Sequence, residues 1–406
     1  AGDTWLAAVQ GMFTYNNQLG YAEWLNDFRD NQTANGSLAV IIPTSNGWGQ
    51  GDAVDWDTAY EFVAWYQYLY QGDGETLLSH YQGIRKYFLY SLGHAKNWIL
   101  PDSCGVGEWA SASSSRPPVS FTSTCIFYRD AVLLERIAWI IGKTSDVRMF
   151  EADAAAIKAA FNAKFYAGNG LYSNGDQTAL CMPLYYGLVP KSRQAAVVNQ
   201  LVVNIHRHNN HLDVGILGAR CLFRVLTRFG HSDIAYQMAT ETTYPSYGNW
   251  IVHGATTLYE NWSLSPGSMN HIMFGDILGW MYNDLAGIKP DWRSPGFRTV
   301  LIEPHPVRAL AWAEATHDSR FGRIKSAWRW HGGQLTLNVT IPPASSAIMA
   351  LPGARGAKVK CNDQPLEGII GKPPALHHLA LRRNAIWIHL RSGHYRLVYV
   401  PHGGGQ

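Results

Sequence analysis

The sequence has 406 residues, of which 47% are hydrophobic and 16% are charged, and its formal net charge is +3. This composition indicates a globular protein with a large core rather than a disordered chain. The small net charge, without a basic run, argues against nucleic-acid binding, and the longest apolar stretches fall short of the ~20 residues that a membrane span requires.

Apolar residues recur at a spacing near 3.6 from residue 1 to residue 288, which is typical of successive amphipathic helices. The predicted helices cover 4–16, 21–30, 58–70, 76–92, 123–141, 146–165, 177–188, 191–205, 214–229, 232–241, a short piece at 255–260, and 269–285.

The links between these helices are alternately short and long. Turn signals such as Gly72–Gly74 and Gly142–Thr144 mark the short links. The long loops are 32–57, 93–122, 166–176, 205–213 and 242–254. Helical hairpins whose long loops share one end indicate an (α/α)6 barrel with a pocket among those loops. An irregular α-solenoid is the alternative, although no repeat of fixed period supports it.

After Pro290 the pattern changes to short alternating strands, which indicate an antiparallel β-sandwich. The predicted strands cover 296–303, 309–317, 322–331, 333–341, 346–351, 356–361, 376–382, 384–391 and 394–400. The predicted domains are therefore a helical barrel at 1–289, a sandwich at 290–401 and a disordered tail at 402–406. Trp312, Trp328 and Trp330 are interpreted as packing residues of the sandwich, with a sugar-binding face as the alternative.

Acidic and aromatic residues cluster where the long loops enter the inner helices of the predicted barrel. The candidates are Asp3 with Trp5, Trp48 with Asp52, Asp55 and Trp56, Glu108 with Trp109, Asp176 with Gln177, His211 with Asp213, and Glu260 with His271. Asp is favoured at helix N-caps, so Asp57, Asp146 and Asp176 are interpreted as caps. Glu is not a capping residue, and Glu108 and Glu260 each adjoin an aromatic residue, which favours a functional role for both.

The segment Gly254–Trp262 places the carboxylate of Glu260 between Tyr259 and Trp262. Residues 244–250 add further aromatic surface before it. Aromatic rings that stack on sugar C–H faces, together with a carboxylate that handles water, are typical of carbohydrate hydrolysis. The alternative is a structural Glu that is buried and hydrogen-bonded in an aromatic core.

Metal and cofactor sites are not predicted. The cysteines contain no Cys-x-x-Cys pair and form no disulfide framework. His206, His208 and His211 are close in sequence, but Asn209 and Asn210 between them indicate a loop, so metal binding is the weaker interpretation.

Several of these segments together resemble the signatures of bacterial α-L-rhamnosidases of glycoside hydrolase family 78. The matching segments are Gly254-Ala-Thr-Thr-Leu-Tyr-Glu260-Asn-Trp262, Ser268-Met-Asn-His271, Tyr244-Pro-Ser-Tyr247-Gly, His211–Gly218, Gly107-Glu108-Trp109 and Leu285–Pro290. Tyr259 and Tyr247 stand where the family usually has Trp. The resemblance covers essentially the whole chain.

The resemblance implies an inverting hydrolase that removes terminal α-L-rhamnose without a cofactor, and neither nucleic acid nor a membrane is an expected partner. Glu260 would be the general base, and His271 would hydrogen-bond the sugar or its surroundings. The substrate pocket would further contain Asp3, Asp52, Asp55, Trp56, Trp109, Tyr247 and Trp250.

The family's general acid belongs to the motif D-C-P-Q-R-D-E-R-x-G-W-x-G-D, of which only the final Gly2-Asp3 has a counterpart here. We expect either a piece of a longer enzyme, completed by N-terminal domains, or a divergent protein that uses Glu108, Asp52 or Asp55 as the acid. A glycosidase for another sugar and a non-catalytic sugar-binding remnant or subunit remain alternatives.

Overall fold

The computed structural model describes residues 1–44, 53–366 and 385–402. Trp48, Asp52, the predicted strand at 376–382 and residues 403–406 of the predicted tail lie outside these ranges. None of the described helices is both long and apolar enough to cross a lipid bilayer.

The described chain begins with a helical region. Its helices are α1 (Gly2–Thr14), α2 (Gln18–Asn31), α3 (Val54–Asp57), α4 (Ala59–Tyr66), α5 (Gly74–His94), α6 (Val119–Ile140), α7 (Thr144–Phe165), α8 (Gln177–Tyr186), α9 (Lys191–Arg207), α10 (Ile216–Arg228), α11 (Ser232–Thr240), α12 (Tyr247–Val252) and α13 (Asp276–Trp280). Short π-helical segments, Gln67–Gln71 and Met281–Leu285, extend α4 and α13. A small hairpin of β1 (Tyr166–Gly168) and β2 (Leu171–Tyr172) precedes α8.

Alternate helices of this region form a closed ring. Helix α1 packs against α4, α4 against α6, α6 against α8, α8 against α10, α10 against α13, and α13 against α1. The other long helices pack outside: α2 and α5 against α4, α7 against α6, α9 against α8, and α11 against α10. Each ring helix therefore contacts two other ring helices.

The sequence pattern explains which helices are inside. Helix α9 buries Val197, Val198, Leu201 and Ile205, a narrow stripe typical of a helix that is covered on one side. Helix α10 buries every residue from Ile216 to Thr227, because neighbouring ring helices cover it on both sides.

The helix predictions are confirmed over most of the ring and wrong around the Glu260 segment. Residues 255–260 are irregular, whereas the preceding Tyr247–Val252 forms α12. The last ring helix begins at Asp276 and not at Met269. The segment from Gly254 to Gly275 is thus a long loop, which is held by its own cross-links rather than by helical hydrogen bonds.

The described part of the C-terminal region contains two sheets. The strands are β3 (Ile288–Pro290), β4 (Thr299–Ile302), β5 (Trp312–Ser319), β6 (Gly322–His331), β7 (Gln334–Ile341), β8 (Ser346–Leu351), β9 (Lys360–Cys361), β10 (Gln364–Pro365), β11 (Ile386–Leu390) and β12 (Gly393–Tyr399). The strand orders are β10-β9-β12-β7-β6-β5 and β11-β8-β4-β3. Among the described strands, pairing is antiparallel except between β4 and β8, which are parallel, so the expectation of wholly antiparallel sheets is wrong at this pair.

The helical region and the sheets share buried contacts. The indole Nε1 of Trp328 donates to the backbone oxygen of Leu285 (2.8 Å), and the hydroxyl of Ser326 donates to that of Ala286 (2.6 Å). Trp328 is buried, which confirms its packing role. Trp330 is half-buried and donates to a backbone oxygen, whereas Trp312 is half-exposed.

Candidate active site

Side chains tie together the loops that precede the ring helices. The indole Nε1 of Trp262 donates to the backbone oxygen of Val214, just before α10 (2.7 Å). Gln177, at the start of α8, donates from its side chain to the oxygen of His211 (3.0 Å) and accepts from the backbone N–H of Asp213 (2.9 Å). The loop ends are therefore linked to one another across the ring.

Asp55 joins the loop before α4 to the loop before α6. Its carboxylate accepts the backbone N–H groups of Val106 (2.9 Å) and Gly107 (2.7 Å), and its backbone oxygen accepts from the indole of Trp5 (3.0 Å). The side chain has no exposed surface. Burial raises the pKa of Asp55 to about 7, against the opposing effect of the two N–H groups.

Glu108 makes the corresponding link to α10. The backbone N–H of Gly218 donates to both carboxyl oxygens (3.0 and 3.2 Å), and the N–H of Ile216 donates to the oxygen of Trp109 (3.0 Å). Gly215 allows this approach, because a Cβ there would lie 2.1 Å from the oxygen of Trp109. Glu108 is 2% exposed, and burial raises its pKa to about 8. Trp109 is 44% exposed, unlike the neighbouring Glu108.

Glu260 lies on the irregular loop between α12 and α13. Its backbone N–H donates to the oxygen of Ser268 (3.0 Å), and the N–H of His271 donates to the oxygen of Leu258 (2.9 Å), so the two halves of the loop are bridged twice. Gly267 leaves room for the carboxylate, because a Cβ there would lie 2.7 Å from Oε2 of Glu260. Glu260 and His271 are both half-buried and accessible to solvent, which excludes a fully buried Glu260.

A cavity of about 470 Å³ adjoins this loop. It is lined by Gln10, Tyr15, Ile251, residues 255–258 and residues 270–272. His271 is therefore part of its wall, whereas Glu260 is not among the lining residues.

Tyr247 and Trp250 form the support beneath the loop. Trp250 is 1% exposed, stacks on Trp262 with ring centroids 4.9 Å apart, and donates from Nε1 to the oxygen of Trp262 (3.2 Å). Tyr247 is also buried, and its hydroxyl donates to the oxygen of Phe274 (3.0 Å). Neither ring presents a free face, so in this structure they hold the loop rather than offer a stacking surface for a sugar. The hydrogen bond by which Trp262 supports the loop could not be predicted from the sequence, because its partner Val214 is distant in the chain.

Trp56 and Asp3 lie together at the start of the ring. Trp56 is buried against Gly2, where an added Cβ would lie 2.4 Å from the indole. Asp3 is half-buried in the first turn of α1. Asp52, the remaining predicted substrate-binding residue, lies outside the described residues.

The capping predictions are confirmed for one of three aspartates. Asp176 caps α8 by accepting the backbone N–H of residue 179 (2.7 Å). Asp57 and Asp146 are not N-cap residues, because they lie within the first turns of α3 and α7. Asp146 instead accepts the hydroxyl of Tyr81 (2.6 Å) and pairs with Arg85 (3.2 Å).

The three clustered histidines have different partners. His208 faces Asp213 (3.5 Å), His211 bonds to the hydroxyl of Thr243 (2.6 Å), and His206 bonds to Asn210 (2.9 Å). Within the described ranges, no group of three or more His, Cys, Asp or Glu side chains is arranged to hold a metal ion.

Comparison with known proteins defines the class of this architecture as a six-hairpin glycosidase domain followed by a sheet domain. Residues 1–285 match the family model of the bacterial α-L-rhamnosidase six-hairpin glycosidase domain, and residues 287–364 match that of the bacterial α-L-rhamnosidase C-terminal domain. The chain belongs to the bacterial α-L-rhamnosidase family, which confirms the resemblance found in the motifs.

Individual relatives agree with this assignment. The chain is 30% identical to an α-L-rhamnosidase of Streptomyces avermitilis over 369 residues, which are 88% of this chain and 35% of that protein. It is 27% identical to an α-L-rhamnosidase of Alteromonas sp., over 95% of this chain and 42% of that protein.

Solved structures are similar over almost the whole chain. The α-L-rhamnosidase of Dictyoglumus thermophilum gives a TM-score of 0.88 at 34% identity, over 98% of this chain and 45% of that one. The Streptomyces avermitilis enzyme complexed with L-rhamnose gives a TM-score of 0.87 at 27% identity, over 98% of this chain and 38% of that one. The chain thus spans less than half the length of these relatives.

Proposed function

We propose that this chain forms the catalytic part of an α-L-rhamnosidase, which hydrolyses terminal non-reducing α-L-rhamnose from glycosides or polysaccharides. The observation that carries the proposal is the family match along residues 1–285, within which Glu260 is accessible on a doubly bridged loop. The similarity of the fold to a rhamnosidase complexed with L-rhamnose supports the same sugar.

The architecture that we propose for this function is an (α/α)6 barrel followed by a β-sandwich. The closed packing of α1, α4, α6, α8, α10 and α13 supports an inner ring, and the two sheets of the C-terminal region support the two layers of a sandwich. In a barrel of this kind, the linked loop ends would surround the substrate.

Glu260 is the group that we assign to the activation of water. Its carboxylate would remove a proton from a water molecule as the water oxygen attacks the anomeric carbon, opposite the departing oxygen. An acid would protonate that oxygen, and the two carboxyl groups of an inverting enzyme lie ~6.5–9.5 Å apart to admit the water. His271, on the same loop, would hydrogen-bond the sugar or position Glu260, and Trp109 would offer an aromatic face.

Glu108 and Asp55 fit a positioning role better than proton donation. Both would be protonated at mildly acidic pH, since their pKa values are about 8 and about 7. Both are buried, however, and their oxygens accept backbone N–H groups of neighbouring loops. We therefore assign them to holding those loops in place around the site.

The test of Glu260 is its replacement by Gln, with Glu151→Gln as the control, because Glu151 is exposed on α7. We expect E260Q to lose about 10²–10⁴-fold in kcat on p-nitrophenyl α-L-rhamnoside, the usual contribution of a general base, with L-rhamnose binding retained. E151Q should match the unchanged chain. Full activity of E260Q would remove Glu260 from the mechanism.

Comparing substrates with different sugars and leaving groups tests both the sugar specificity and the presence of a general acid. Nitrophenolate leaves without protonation, whereas an alkyl aglycone needs an acid. A chain without an effective acid would therefore cleave the p-nitrophenyl rhamnoside and leave methyl α-L-rhamnoside intact. Faster cleavage of the α-L-arabinoside or β-D-glucoside would contradict rhamnose specificity, and rhamnose binding without any turnover would support a sugar-binding remnant. Proton NMR of the first product should show β-L-rhamnose if the reaction inverts.

A further inference from the structure

A second cavity lies on the axis of the helical ring, towards the last turns of its helices. Its inner chamber, of about 350 Å³, is lined by residues from α1, α4, α6, α8, α10 and the π-helical extension of α13. Its outer chamber, of about 420 Å³, adds Lys289, Pro290, Glu303 and Trp387 from the sheet region. The chambers share Arg224, Arg228 and Asn283, so we treat them as one axial cavity.

The inner chamber is strongly cationic. Its arginines are Arg129 and Arg136 from α6 and Arg220, Arg224 and Arg228 from α10. Among the described residues, no carboxylate side chain lines this chamber. The α10 arginines are spaced four residues apart, which places them on one face of that helix, towards the axis.

Only part of this positive charge is neutralised by neighbouring acids. Asp276 pairs with Arg220 (3.1 Å) and Arg224 (3.0 Å), and Asp284 pairs with Arg224 (3.3 Å) and Lys289 (3.1 Å). Glu303 in turn pairs with Lys289 (2.9 Å).

Arg136 and Arg228 are not part of this ion-pair network. Among the described residues, Arg228 donates only to backbone oxygens, of Leu184 (3.4 Å) and Tyr185 (3.1 Å). Arg136 lies near the ring of Trp292, with its guanidinium carbon 5.6 Å from the centroid. Burial and the charge of Arg129 lower the pKa of Arg136 to about 10, against the opposing charge of Glu135, so Arg136 keeps its positive charge at neutral pH.

Two buried donors belong to residues that line the same cavity. Arg220 is 3% exposed, and although its Nη1 donates to Asp276 and to a backbone oxygen, its Nε has no partner within the part of the chain that the structure describes. The same is true of Nε1 of Trp387, which lines the outer chamber. Buried N–H groups without an acceptor are costly, so their position next to unpaired guanidinium groups indicates a missing acceptor.

We propose that the axial cavity binds a multivalent oxyanion of the phosphate class, either inorganic phosphate or the phosphate group of a small ester. Guanidinium groups suit phosphate oxygens because their planar N–H donors bind two oxygens at once. The chamber volume is in the range of small-molecule sites. The axial cavity shares no lining residue with the cavity beside the Glu260 loop, and the proposal is independent of the rhamnosidase proposal.

Calorimetric titration of the full chain with inorganic phosphate and with glycerol phosphate tests this site, with chloride at matched ionic strength as the reference. The variants are Arg136→Gln and Arg228→Gln. Neither substitution removes the ion-pair partner of a described carboxylate. The control is Arg148→Gln, because Arg148 is exposed on α7. We expect the loss of one charged contact to weaken phosphate binding by about ten- to a hundredfold, with R148Q unchanged.

A second measurement separates binding from a structural role. Phosphate should raise the melting temperature of the unchanged chain and of R148Q more than that of R136Q or R228Q. An equal rise in all four proteins would contradict the proposal. So would phosphate binding no tighter than chloride, an unchanged phosphate affinity in both arginine variants, or displacement of phosphate by L-rhamnose. Tighter binding of the ester than of phosphate would support the site and identify an organic phosphate as its ligand.

Discussion

Asp55 and Glu108 organise the loops of the candidate site with carboxyl groups that are almost without exposure. Each accepts backbone N–H groups from a neighbouring loop, and burial raises the pKa of each into or above the neutral range. The neutral acid is the form that such an environment favours. The folded state therefore holds these protons at pH values where the unfolded chain releases them.

Glu108→Gln should change the pH dependence of stability. The pKa of Glu108 is about 8 when folded and 4.5 as its reference value, so the folded state binds the extra proton between these values. Stability then falls as pH rises through this window and levels off above pH 8. Because Gln cannot ionise, the free energy of unfolding of the variant should rise relative to that of the unchanged chain by up to about 1.4 kcal/mol per pH unit. Urea unfolding from about pH 5 to pH 8 measures this difference. If the free energy of unfolding depended on pH in the same way for the two proteins, Glu108 would have an ordinary pKa in the folded state.

The sequence singled out Glu108 and Glu260 for the same reason, an adjoining aromatic residue, and could not separate their environments. The partner that covers Glu108 is the backbone of Gly218, 110 positions away, whereas the contacts of Glu260 lie within its own loop. Exposure depends on such distant partners, so a local motif identifies the residue but not its burial.

At the scale of elements, long helices were predictable and the short helix beside the candidate site was not. The apolar stripe of α9 is readable because it continues over several turns. Helix α12 has only 6 residues and includes Gly and Val, which have low helix propensity. It forms because Tyr247 and Trp250 pack against Trp262 and because Ser246 caps its first turn.

Ser246→Ala should therefore weaken the Glu260 loop through α12. The hydroxyl of Ser246 accepts the N–H of Asn249 (3.0 Å), and loss of such a cap costs about 1 kcal/mol. The matched control is Asp73→Ala, which removes the cap of the outer helix α5, where Asp73 accepts the N–H of Thr76 (3.1 Å). We expect similar losses of stability in urea, but a lower kcat on the nitrophenyl rhamnoside only for S246A. Equal kcat values in both variants would show that α12 does not position the loop.

At the scale of the whole molecule, the change from helices to sheets was readable, and the joining of the two regions was not. The alternation of β7 predicts its buried face of Leu335, Leu337, Val339 and Ile341. The parallel pairing of β4 with β8 has no local signature, because it joins strands separated by three others. The contacts between the regions are likewise long-range, as in the packing of Phe13 from α1 against Phe297 and His317.

His317 makes this junction sensitive to acid. Its ring lies 5.2 Å from that of Phe13 and 4.5 Å from that of Phe297, and burial lowers its pKa from 6.5 to about 4. Between these values the unfolded chain binds a proton that the folded protein excludes, so stability falls as pH falls from 6.5 to 4. His317→Leu should remove up to about 1.4 kcal/mol per pH unit of this slope, measured by urea unfolding. The control His331→Leu, at an exposed position on the neighbouring strand β6, should keep it. The junction includes side chains from both regions, so far-UV circular dichroism and Trp fluorescence should report one shared unfolding transition. Separate transitions, or an unchanged pH slope of stability in H317L, would show that the two regions unfold independently of this contact.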